Sequence, residues 1–144
     1  MKKNVIVLTA TILSLLLLSS VGYPDAGDSR RDGAVQIKEA PMLIEKGKMM
    51  QASKFDDKVA MVNEGNVMIS EGHRMVNIGM QMRSSKGHFN LQEMGLMLSN
   101  AGKLLVEKGQ QKEPLTEEDK QTLKKKGENL EALGNLKLKQ GKLM

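Results

Sequence analysis

Methionine and glycine alternate along the middle of the chain with a fixed step. Met61, Met68, Met75 and Met82 recur every seven residues, and Gly65, Gly72 and Gly79 recur with the same step, offset by four. Seven residues are close to two turns of an α-helix, so each set forms a column along one side of a helix. Val62, Ile69 and Val76 flank these columns. The pattern describes an apolar face with a strip free of side chains along its middle.

The same unit returns twice. Leu91, Gly95, Leu98, Gly102, Leu105 and Gly109 make a second run, and Met94, Met97, Ala101 and Leu104 widen its apolar face, with glycine at the edge of that face. Leu123, Gly127, Leu130, Gly134 and Gly141 make a third, in which Lys137 takes an apolar position. Asn90 and Glu93 have the spacing of a capping box, and Thr116 precedes three acids suited to a first helical turn. Pro41 suits only a first turn, so the first helix is expected to begin near Ala40. The step from Met50 to Met61 is eleven residues. It reads as a stutter in one long helix, the alternative being a break near Ser53 to Asp56 with Ser53 as the cap.

The predicted fold is therefore all-α. A long amphipathic helix over about 40–83 and two shorter ones over about 90–110 and 117–141 form an antiparallel, coiled-coil-like bundle with heptad glycine seams, within a helical domain spanning 36–144. An interior helical glycine costs ~1 kcal/mol relative to alanine. Glycines in three runs imply a compensating gain, and close approach of another helix backbone supplies one, since small residues let helices meet tightly. The competing reading is a duplicated repeat of marginal helices.

The ends and the composition narrow the picture. Residues 1–22 have the order of a secretory signal peptide: Lys2 and Lys3, an apolar run from Val5 to Leu18, then small residues through Gly22. That run is short of the ~20 residues of a spanning helix. Residues 23–35 read as a disordered leader. The mature chain is thus expected in the periplasm or secreted from a bacterium. The only aromatics are Tyr23, Phe55 and Phe89, so the core falls to Leu, Met, Val and Ile. Cysteine is absent, which excludes disulfides and thiolate metal sites. Loss of Lys2 and Lys3 with the leader lowers the formal charge from +5 to +3. So mild a charge, without stacking aromatics, argues against nucleic acid.

Candidate chemistry rests on the methionines. Thioether sulfur is a soft ligand for Cu(I) or Ag(I). Met75, Met80, Met82, Met94 and Met97 are candidate ligands, with His73 in the same helical column as Met80; Met49 and Met50 form a further pair. Methionine at these heptad positions also reads simply as core. No nucleophile elbow, phosphate loop or metalloprotease spacing occurs, so an enzyme is not expected. The leading expectation is a non-enzymatic helical protein acting through association with itself or another helical protein, along the strip of Gly65, Gly72, Gly79 and the methionines Met61, Met68, Met75 and Met82. Cu(I) or Ag(I) buffering is the alternative. A membrane-surface role for the lysine-flanked apolar faces comes after both.

Overall fold

A computed structural model describes residues 26–144. The expected signal peptide lies outside the described residues. Four helices follow one another: α1 (Ala26–Ala52), α2 (Lys58–Met80), α3 (Ser85–Gln110) and α4 (Glu117–Leu143). They pack as an all-α bundle. The closest pairs are α2 with α3 and α1 with α4, while α3 also touches α1 and α4.

Three expectations need correction. The helix expected over 40–83 is two helices, because the eleven-residue step is a true break at 53–57. Asp57, not Ser53, caps α2, accepting from the Ala60 N–H at 3.0 Å. The leader expected over 23–35 is helical from Ala26 onward, and Pro41 lies inside α1. Its ring is on the exposed side of the helix. An interior proline costs about 3 kcal/mol, and α1 nonetheless continues through it, with Gly33 and Gly47 packed against α4. Lastly, α3 begins at Ser85, nearly two turns before the Asn90–Glu93 box. Ser84 is its N-cap and accepts from the Gly87 N–H at 3.0 Å. The start of α4 is as expected, with Thr116 and Asp119 forming a reciprocal capping box.

The core follows from the heptads. Along α2 the buried positions are Met61, Gly65, Met68, Gly72, Met75 and Gly79. Leu91, Met94, Leu98 and Leu105 of α3, Leu43 and Met50 of α1, and Leu123 and Leu130 of α4 complete one cluster. Phe55 reaches the same cluster from the 53–57 linker. It does so with φ at 53°, in the left-handed region that costs a non-glycine residue about 1–2 kcal/mol.

Candidate functional site

The glycine columns meet each other. An ideal Cβ on Gly65 would lie 2.6 Å from the carbonyl oxygen of Gly102, and one on Gly102 would lie 2.5 Å from that of Gly65. Gly72 and Gly95 face each other in the same reciprocal way. Moving seven residues forward on α2 moves the contact seven back on α3, which defines an antiparallel seam. The α1–α4 pair repeats it: Gly47 opposes Gly127 at 2.6 Å and Gly33 opposes Gly141 at 2.7 Å. At each contact the glycine Cα hydrogen points at a carbonyl of the other helix, a weak Cα–H···O interaction. Glycine in α3 is thus at the centre of its packed face rather than the edge.

The strip expected to receive another helix is therefore filled by α3 of the same chain. Met61, Met68 and Met75 beside it are buried, and Met82 is half-buried against the core. That surface is closed to a second protein in the folded bundle.

The two glycine-zipped pairs are joined by polar ties between residues distant in sequence. Asp32 of α1 is buried and accepts from the backbone N–H of Ser84 at 2.8 Å and from its hydroxyl. A Cβ on Gly87 would collide with Asp32 at 2.6 Å, so that glycine admits the carboxylate to the start of α3. Glu39 of α1 takes a two-pronged contact from the Arg74 guanidinium of α2, at 2.9 and 2.5 Å. Glu39, and after it Glu71, hold the Arg74 pKa above its ordinary value. Lys46 meets Glu64 at 2.5 Å. Lys137, the intruder in the α4 seam, is buried and gives its ammonium to Asn90 Oδ1 at 2.9 Å and Glu93 at 2.5 Å. Its carbonyl accepts from Gln36 Nε2 at 2.7 Å, so a single residue links α1, α3 and α4.

The methionines proposed as ligands do not share one place. Met75 and Met94 are fully buried, Met82 and Met97 are half-buried, and Met80 and His73 are on the exposed side of α2. Among the described residues no group of three or more His, Asp or Glu could hold a metal.

A different set of methionines does line one cavity. Met49 and Met50, from the end of α1, and Met61, from the start of α2, line a cavity of about 330 Å³ together with Phe55. Asp56, Asp57 and Glu64 lie around the same cavity. The sequence marked the Met49–Met50 pair, but Met61 joins it only through the break at 53–57.

Exposed apolar side chains also mark the outer face of α3, as Leu136 and Leu143 mark that of α4. Phe89 and Leu96, seven residues apart, are 45% and 54% exposed. With Met97 and with Lys126 of α4 they border a shallow groove. No described helix is long and apolar enough to cross a membrane. Comparison of the chain with protein-family models, curated proteins and solved structures finds no match.

Proposed function

We propose that this chain is an exported, non-enzymatic helical protein of the bacterial envelope, and that it acts by pairing with a second copy of itself along the outer face of α3. The observation that carries the reading is the Phe89–Leu96 ridge, which is exposed on the same helix, about 100° round from the buried glycine seam. The glycine strips are occupied within the chain, so association falls to the face left outside.

The sequence of that face is self-complementary. In an antiparallel pair of α3 helices centred between Leu96 and Met97, Leu96 meets Met97 of the second copy. Phe89 meets Leu104, and Glu93 meets the neutral Asn100. At both ends Lys86 comes opposite Glu107. Neither Lys86 nor Glu107 has an ion-pair partner among the described residues, so each is free to take the other across the dimer. An isologous two-fold contact of this kind closes on itself and leaves no open end.

Sedimentation velocity on the chain from Tyr23 onward tests the proposal. The expected result is a dimer whose dissociation is promoted by Leu96→Glu, with helical circular dichroism unchanged. A wild-type chain that remains monomeric at high concentration, or a dimer indifferent to Leu96→Glu and Phe89→Glu, refutes it.

A further inference from the structure

We propose that the cavity between the end of α1 and the start of α2 is a thioether site for a soft monovalent cation, Cu(I) or Ag(I), with Met49, Met50 and Met61 as its ligands. The inference is independent of the dimer reading, since the cavity and the outer face of α3 share no residue.

The donor set argues first. Three methionines line one cavity of about 330 Å³, many times the ~30 Å³ that a water molecule occupies in the liquid. No histidine borders it. Thioethers need no deprotonation and prefer soft d¹⁰ ions over Ca²⁺, Mg²⁺ or Zn²⁺. Met50 and Met61 are buried, so a bound ion would be largely desolvated, while Met49 is half-buried. Methionine's rotatable bonds let each sulfur turn toward an ion without moving the backbone.

Charge argues next. Asp56, Asp57 and Glu64 border the cavity. Asp57 already caps α2 and Glu64 already meets Lys46, which leaves Asp56 exposed with no hydrogen-bond or ion-pair partner among the described residues. Asp56 thus remains uncompensated beside the methionines, and its charge draws a cation inward. The ring of Phe55 adds an aromatic wall, to which cations are attracted.

The backbone argues third. Phe55 sits at φ 53° and its N–H is bonded to Ser53 Oγ at 3.1 Å. A bulky residue held in that region marks a place where surrounding structure overrides local preference, and such places cluster at functional sites. Here the strained linker brings Met49, Met50 and Met61 to one cavity. An unbroken helix would have carried the two ends of the step about 16 Å apart.

The test is an anaerobic titration of the chain from Tyr23 onward with Cu(I) against a chromogenic Cu(I) chelator. Ag(I) is then followed through the methionine ε-methyl resonances. We expect one equivalent to be withdrawn from the chelator, and the methyls of Met49, Met50 and Met61 to shift. Met61→Leu and Met49→Leu conserve volume and keep the fold. Each is expected to weaken binding by no less than the roughly 10–100-fold that even outer-shell losses cost. Met80→Leu should leave it unchanged. Failure to compete overturns the site, and so does binding that survives both cavity variants or shifts Met80 and Met82 instead. A dimer with no metal binding, or the reverse, separates this inference from the association reading.

Discussion

Replacing Gly72 with alanine is the sharpest test of the glycine seam. The new Cβ would lie 2.5 Å from the Gly95 carbonyl oxygen and 2.7 Å from the Ser99 nitrogen. A carbon meets a carbonyl oxygen comfortably at ~3.3 Å, so α2 and α3 must separate by roughly 0.8 Å there. Both opposing atoms are backbone, and no flexible side chain can yield in their place. The separation spreads to Gly65 and Gly95, whose contacts are equally close. A gap of that size forfeits about a quarter to a half of each contact's dispersion energy along the seam. Alanine returns ~1 kcal/mol in helix propensity. Overpacking of this kind costs ~1–3 kcal/mol and more when backbone must move; with the whole seam involved we expect a net loss of about 2–3 kcal/mol. Urea unfolding followed by circular dichroism measures it. With m of ~1.5 kcal/mol/M, the midpoint should fall by roughly 1.3–2 M at unchanged m. Gly79→Ala is the control: its nearest contacts are at 3.0 Å, and the propensity gain should nearly cancel the strain. A Gly72→Ala variant as stable as wild type or more so refutes the close seam.

Other expectations follow from the polar ties. Asp32→Ala leaves the buried Ser84 hydroxyl and N–H without their acceptor, and should destabilise the chain by about 1–3 kcal/mol in the same urea assay; an effect below ~0.5 kcal/mol would contradict its role at the start of α3. The Lys108–Asp119 contact, 2.9 Å, sets a pH dependence. Its hydrogen bond with Lys108, then the Thr116 N–H, hold the Asp119 pKa well below the usual carboxylate range, while Asp119 raises that of Lys108. A depressed carboxylate pKa contributes stability above its unfolded value of ~3.9 that is lost as pH falls through the folded value. The raised lysine pKa contributes below ~10.4 and is lost as pH rises through its folded value. The difference in urea midpoint between wild type and Asp119→Asn should therefore be largest at neutral pH and shrink toward both extremes. A difference constant from acid to alkaline pH would remove the pair from the account.

The heptads made α2, α3 and α4 legible, because glycine and apolar residues repeat there with a step set by helix geometry. The same step was present in α1 as Gly33, Ala40 and Gly47 but was obscured. Pro41 reads as a start signal, and Asp32, Gln36 and Glu39 place polar groups where a core face should be apolar. Their partners are Ser84, the Lys137 carbonyl and Arg74, all far along the chain, and no local pattern announces them. For the same reason Lys137 looked like a defect in its seam, when Asn90 and Glu93 satisfy it. The apolar strip of α2 packs on α3, and sequence periodicity carries no information on whether an opposing helix belongs to the same chain. The methionine cavity depends on the geometry of a five-residue linker containing a left-handed Phe55, which propensity alone disfavours.

The central claim is that the glycine columns pair helices within one chain, α1 with α4 as well as α2 with α3. The chain has no cysteine, so an introduced pair reports cleanly. An ideal Cβ at Gly141 lies 3.4 Å from Cβ of Gln36, near the ~3.5–4.5 Å range of a disulfide. The measurement is the oxidation of a Gln36→Cys, Gly141→Cys double variant in dilute solution, read by free-thiol count and a non-reducing gel. The account predicts complete loss of thiols in a monomeric band. Thiols that stay free, or chains that join only to other chains, would contradict it.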